Sequence, residues 1–555
     1  MNWSTSFRAA LAASSFAIAA IAQDDSFEQL SLRISTLRPN GAFVIDRGQN
    51  DLVQVGDRVV LTPRNGAAVP GTVIEVGERT SVVEVVDRSA VLPIGTKGHV
   101  LVPRARRAVK PVETPTVPPP NAEPPPPRKD AGEEEEWKPG MPLLGTTRAP
   151  RPEERKRTMT GRVYIAADVV RTLDSWSHSY LDTGLDFEVD NPRGNDGGTL
   201  FFHGAFNWST EAASERSGTD IRLYEVGYEH GGTRFTPLHW QVGRFLPREM
   251  PEFGLLDGGA IGYRREGGDR VGASFGWLPE LDEDLDSFGD MQVAAWYVWN
   301  ADITERVSWG LGYQKTWHRF DQDRDLVVVK WRYLPAEGWT FASTVWIDFY
   351  TGRDELKDRD IGLTRGNAFV SRRWQGSGGI DLSWDHEEYP DILRRELPQT
   401  LTPITLADAH QDRLSFHAFT TTGSVRWFTR LTGWTDEERD GGAVEVGFEV
   451  DDMLGKGART VIAGFDVQGL TNDVLGARIE QGATYGWGRL DLLGEVGFVH
   501  HQGFPDNRDD LLQYRFGAIA TTDLGSGWDG IFHADVTLWD DDSSFAVGVY
   551  LQRHF

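Results

Sequence analysis

The sequence predicts an all-β chain: a large up-and-down transmembrane β-barrel of about 22 strands, preceded by a small β-barrel-like module. Three observations predict it. Residues 158–555 alternate apolar and polar side chains over many short runs, with no convincing helical period. Tight glycine turns and longer polar loops alternate along most of that stretch. Finally, 20 Trp, 28 Phe and 13 Tyr coexist with 25% charged residues and a mean hydropathy of −0.40. A soluble protein this aromatic should carry longer apolar runs. A membrane barrel needs only alternate residues to be apolar, so its average looks soluble.

In chain order, residues 1–22 fit a secretory signal peptide. Arg8 supplies the positive segment, Ala9 to Ala19 the short apolar one, and Ala20-Ile21-Ala22 a small-x-small cleavage site. No later stretch offers the ~20 consecutive apolar residues of a membrane-spanning helix. No cysteine follows the cleavage site, which excludes a lipoprotein anchor, and a chain without cysteine suits an oxidising compartment. The expected location is the outer membrane, with the N-terminal module in the periplasm.

Residues 23–103 read as a small all-β module. Short runs such as Ala42-Phe43-Val44-Ile45, Arg58-Val59-Val60-Leu61 and Gly71-Thr72-Val73-Ile74 are divided by Gly, Asn, Asp and Pro turns. The pattern through Ile45-Asp46-Arg47-Gly48 and Val55-Gly56-Asp57-Arg58-Val59 resembles SH3-like modules of bacterial envelope proteins, a fold that hosts many unrelated roles. Residues 104–157 follow as a proline-rich, disordered linker carrying Pro118-Pro119-Pro120, Pro124 to Pro127 and Glu133 to Glu136. At ~3.1 Å per residue it spans on the order of 100 Å when extended. Its basic group, Arg104, Arg106, Arg107 and Lys110, is a candidate contact for an anionic cell-wall polymer.

Residues 158–555 are the expected barrel. Val444, Val446, Phe448 and Val450 share one face against Glu445 and Glu449, while Val327, Val329, Trp331 and Tyr333 oppose Lys330 and Arg332. Val425, Trp427 and Leu431 oppose Arg426 and Arg430. Val461, Ala463, Phe465 and Val467 are assigned to the apolar face, opposite Asp466 and Gln468. Regular charge on one face calls for water there, and regular apolar side chains on the other call for lipid. Long loops are expected at 246–256, 278–289, 351–367 and 389–412. Counts of 18 to 22 strands fit, because the weak segment 473–482 also reads as loop. Trp339, Trp374, Trp487 and Trp528 lie beside short connections, as a periplasmic aromatic girdle requires.

The chain ends on Phe545, Val547, Val549, Leu551 and Phe555, one apolar face closing on an aromatic residue. This resembles the closing strand of Gram-negative outer-membrane β-barrels, and implies recognition by their barrel-assembly machinery; Arg553 stands where an apolar residue is usual. The segment Trp240-Gln241-Val242-Gly243-Arg244-Phe245-Leu246-Pro247, followed by Leu255-Leu256-Asp257-Gly258-Gly259-Ala260-Ile261-Gly262-Tyr263, resembles the strand-loop-strand of phosphate- or carbohydrate-selective porins and alginate-export barrels. That resemblance implies Arg244 near the lumen and Asp257 at the mouth of the next strand. Phe245 stands where those families often carry a polar residue.

No Gly-x-Ser-x-Gly elbow, His-Glu-x-x-His or phosphate loop occurs, so the sequence predicts no enzyme and no cofactor. His417 and the pair His500-His501 read as ordinary strand residues. The runs Asp282-Glu283-Asp284, Asp321/Asp323/Asp325 and Asp540-Asp541-Asp542 lack the glycine and distal glutamate of a calcium loop, so no metal is assigned. The formal charge of −26 excludes general nucleic-acid binding and fits acidic outer loops. Pore-lining candidates are Arg244, Lys330, Arg332, Arg426, Arg430, Glu445, Glu449, Asp466, Asp491 and Glu495. Opposed basic and acidic walls would set a transverse field across a pore.

The function expected from these readings is a porin-like channel for passive or weakly selective diffusion of polar solutes. The alternatives are an exopolysaccharide (alginate-like) export conduit and a structural anchor between outer membrane and cell wall with a plugged barrel. The partners expected are outer-membrane lipid and lipopolysaccharide, peptidoglycan or a periplasmic protein at the module, and further copies of the chain.

Overall fold

The computed structural model describes residues 27–103 except 38–41, 63–68, 78–79, 86–91 and 93–95, then Arg106. It also describes 155–555 except 173–175, 212–215, 280–287, 302–304, 335–337, 352–360, 375–377, 394–409, 437–439, 456, 470–471, 502–509 and 540–541. The signal peptide, most of the linker, and the Asp282-Glu283-Asp284 and Asp540-Asp541 acids lie outside the described residues.

The module is a closed barrel of six short strands: β1 (Phe27–Leu37), β2 (Phe43–Ile45), β3 (Arg58–Thr62), β4 (Val69–Val76), β5 (Ser81–Val85) and β6 (Lys97–Pro103). They run in the order β1-β2-β5-β4-β3-β6. Alternation sends Ile34, Ile45, Leu61, Val73, Val83 and Val100 into a fully buried core. Arg106, from the basic group after the module, donates to Asp57 at 2.6 Å and to the Leu52 carbonyl at 3.3 Å, so it packs back on the module.

The second barrel closes 22 strands, from β7 (Thr158–Thr172) to β28 (Asp542–His554), each paired antiparallel with its sequence neighbours. The seam is β28 on β7, from Ser544↔Thr172 to His554↔Arg162. Closure leaves no strand edge, the condition for β-structure in lipid. We call the end where Thr158 begins and His554 finishes the near end, and the other the far end.

One sequence expectation changes here, and one reading left open is settled in favour of 22 strands. Ile361 to Asn367, expected in a loop, opens strand β18 (Ile361–Trp374), and the weak 473–482 segment lies within β24 (Asn472–Tyr485). Gly476 and Ala477 in β24, and Gly362 and Gly366 in β18, interrupt the run of bulky side chains and blur the alternation that marks a strand. At the far end, β15 (Val307–His318) and β16 (Asp321–Tyr333) meet in a two-residue turn, Arg319-Phe320, both at positive φ (50° and 75°).

The outer face is apolar all round: Ile165, Val242, Phe275, Val446, Leu475 and Phe516 are each at least two-fifths exposed. Trp339, Trp374 and Trp487 are exposed at the near end, and the Arg372 guanidinium lies over the first two rings at 5.1 and 6.0 Å. On β28, register puts Phe545, Val547, Val549 and Leu551 outward, with Tyr550 and Gln552 buried inside. Phe555 exchanges backbone hydrogen bonds with Gly161. Arg553 lies on the same outer face, 5.9 Å above the Trp528 ring, so its cation rests on an aromatic at the rim.

Candidate functional site: the filled lumen

The six-stranded module sits inside the near half of the large barrel, not free at the end of a tether. Inward side chains from widely separated strands reach it. Arg33 of β1 bonds Asp186 and Glu188 of β8 (Trp176–Asp190), and Lys97 of β6 lies 3.8 Å from Glu225 of β10 (Arg216–His230). Arg58 bonds the Thr340 hydroxyl of β17 (Trp339–Phe349), and Thr72 accepts from Arg373 of β18 at 3.3 Å. Glu84 pairs with Arg430 of β21 (Val425–Asp436). Glu75 takes Arg459 of β23 (Arg459–Gln468) at 3.4 Å and Arg489 of β25 (Gly488–His501) at 2.7 Å. Contacts from so many directions place the module within the wall.

The seam has two signs. One side of the module is basic and faces carboxylates of β8 and β10; the other is acidic and faces guanidiniums of β21, β23 and β25. Burial alone would lower the Arg33 pKa, but Asp186 and Glu188 outweigh it and hold it above its ordinary value. Arg58 goes the other way: burial, then the nearby Arg373, lower it. His99 of β6 drops to about 4, first through enclosure in the lumen and then through Arg332, with Arg248 adding to the effect and Glu305 opposing it. An apolar patch accompanies the acidic side. Ala42 and Ile74 of the module share a small cavity with Phe428 and Val461 of the wall, beside Glu84 and Arg430.

A second element fills the other side of the lumen. The connection between β11 (Leu238–Phe245) and β12 (Leu256–Arg264) leaves the far end and folds down the inner wall. Met250 and Phe253 are buried against Ala294, Trp296, Leu326 and Val328. Gly310 and Gly312 of β15 make room: a Cβ at Gly312 would stand 2.6 Å from the Phe253 ring, and one at Gly310 would stand 3.1 Å from Met250. Polar ties fix the rest. Gln314 donates to the Phe253 carbonyl at 2.8 Å, Lys330 lies 2.7 Å from the buried Glu252, and Arg270 holds Glu249 at 2.7 Å.

Of the pore-lining candidates, eight face inward. Arg430 and Arg478 converge on Glu445 at 3.2 and 2.5 Å, Arg459 holds Glu449 at 2.7 Å, and Arg426 stands 3.9 Å from Glu449 and 4.1 Å over the Phe419 ring. Asp491 pairs with Arg489 at 2.8 Å, and Glu495 lies in register between Arg478 and Arg515. Lys330 is taken by Glu252, and Arg332 donates to the Glu305 carbonyl at 3.1 Å.

Two candidates do not face inward. Arg244 is in register with the outward Val226, and it grips Asp257 with two bonds of 2.6 and 2.5 Å at the far rim. The inner face of β11 belongs instead to His239, Gln241 and Phe245. Asp466 is in register with the outward Val444, so it too stands on the outer face near the far rim. On that strand, Val461 and Ala463, expected outward, are buried inside against Phe428. A wall covered by packed protein has no need of water, so alternation there does not tell inside from outside.

Sequence reasoning missed Arg459, Arg478, Glu480 and Arg489 in the wall, and Arg33, Glu75 and Glu84 in the module. The alternation of β23 to β25 held a signal for the first group. Nothing local could couple residues some 350 positions apart, such as Glu84 and Arg430. His417 bonds Asp381 at 3.2 Å, Asp325 is held by Lys315 at 2.9 Å, and Asp323 by the Leu393 amide at 2.5 Å. Among the described residues no group of three metal-ligating side chains converges.

No family model and no curated protein matches the sequence. Among solved structures, the P pilus usher (PapC) translocation pore aligns at a TM-score of 0.43 with 9% identity, over 72% of this chain and 99% of that one. Pseudomonas aeruginosa OpdQ aligns at 0.36 with 7% identity, over 72% and 99%. Acinetobacter baumannii OccAB4 aligns at 0.34 with 6% identity, over 73% and 99%. At such identities and scores the likeness stops at barrel architecture, and the functional reading rests on the residues of this chain.

Proposed function

We propose that this protein is an outer-membrane channel for passive or weakly selective diffusion of polar solutes, with its small β module on the periplasmic side. One observation carries the reading: a closed 22-stranded wall is apolar outside and charged inside. Such a wall buries its exterior in lipid and leaves a polar interior to line a path. The described inward cations of β21 to β25 are matched by carboxylates of the same wall, which favours mixed-sign polar solutes over an acidic polysaccharide conduit.

The seated module favours one further reading, a structural anchor whose barrel is plugged. Reconstitution of the full chain into planar bilayers separates the two. In about 1 M KCl, where the Debye length is ~3 Å, a channel gives stepwise conductance. An anchor inserts, as shown by quenching of its outer tryptophans by lipid-borne quenchers, yet stays silent at every voltage.

A further inference from the structure

We propose that the N-terminal module is a releasable stopper, seated in one orientation by the two-signed seam and freed when that seam is screened. The proposal rests on the channel reading and adds the element that opens and closes it.

The geometry requires a single orientation. Arg33 and Lys97 face Asp186, Glu188 and Glu225 on one side of the lumen, while Glu75 and Glu84 face Arg430, Arg459 and Arg489 on the other. Turning the module by half a revolution would set like charges against each other on both sides. The transverse field of the lumen therefore acts as a lock, and the module's charges as its key.

The same chemistry makes the seat reversible. The module keeps its own closed apolar core, Ile34, Ile45, Leu61, Val73, Val83 and Val100, and does not share it with the wall. Leaving the lumen costs that core nothing. What is broken includes these ion pairs, whose charges dissolved ions take over once the module leaves. Two apolar contacts accompany them, one around Ala42 and Phe428 and one around Val60, Leu101 and Phe369.

The test uses the full chain with Glu75→Gln and Glu84→Gln, against Gln49→Lys and Gln54→Lys as a control with the same change in net charge on exposed residues away from the seam. Opening frequency in about 0.1 M KCl should rise about tenfold in the first variant and stay unchanged in the second. A reporter free of conductance is Lys97→Cys with Glu225→Cys, joined by a reducible thiol cross-linker; the chain has no other cysteine. Its yield should be high at low salt and fall steeply toward about 1 M KCl. A yield indifferent to salt, or a Gln variant no more open than its control, overturns the stopper. Salt-dependent cross-linking in a protein that never conducts would sink the channel reading, and the stopper with it, leaving only a module whose seat in the barrel depends on salt.

Discussion

The 246–255 connection and the N-terminal module both lie against the inner wall, yet they are held by opposite kinds of chemistry. The connection inserts Met250 and Phe253 into an apolar bed of Ala294, Trp296, Leu326 and Val328, close in sequence to its own anchoring strands. The module is separated in sequence from the first wall strand by residues 104–157, and charged side chains pair with the wall on two of its sides. Dispersion and the hydrophobic effect do not respond to salt in the way ion pairs do. The first element is therefore a fixed part of the wall, and the second is the part that moves.

The largest expected effect breaks the fixed side. Phe253→Ala removes a buried ring and leaves a cavity, lowering stability by about 3–5 kcal/mol. It should show as a clear drop in the melting temperature of the barrel, with the salt profile of Lys97–Glu225 cross-linking unchanged. Glu84→Gln should do the reverse. Its stability cost is expected at about 1–3 kcal/mol, below that of Phe253→Ala because Arg430 keeps Glu445, but the cross-linking midpoint should move to lower salt.

Arg244→Ala sharpens the correction at the rim. The Arg244–Asp257 pair lies on the outer face and is only partly exposed, so its loss should cost about 1–3 kcal/mol while leaving the anion-to-cation permeability ratio as it was. A shifted ratio would return Arg244 to the lumen.

The smallest effect is a pH dependence. His99 has a pKa of about 4 when seated, against an ordinary 6.5, so the seated module disfavours its proton. A depressed histidine contributes its full stability above the free value and loses it as pH falls toward the seated one. Opening frequency in the bilayer should therefore rise between pH 6.5 and 4, by less than tenfold overall because the ring is solvent-accessible within the lumen. His99→Gln should flatten the profile from pH 6.5 to 5, above the range where carboxylates titrate.

Much of the wall was legible in the sequence because a two-residue period is a local signal. Val446 outward and Glu445 inward, or Trp427 outward and Arg426 inward, follow from spacing alone. The signal failed where the environment was not the expected one. Val461 and Ala463 face protein inside the barrel, and Asp466 stands at a rim where an outward carboxylate meets water or headgroups. The module's fold was equally readable, whereas its place was not. Glu75 and Glu84 look like surface acids on a soluble domain, and only the closed wall brings Arg430, Arg459 and Arg489 against them.

The seating of the module is tested most directly at Ala42. This small residue is 3% exposed and lines the seam cavity beside Arg426 and Arg430. Ala42→Cys in the full chain, reconstituted in lipid, should resist a charged water-soluble thiol reagent at low salt and react readily at high salt. Reaction at low salt as fast as in the denatured chain would contradict the account.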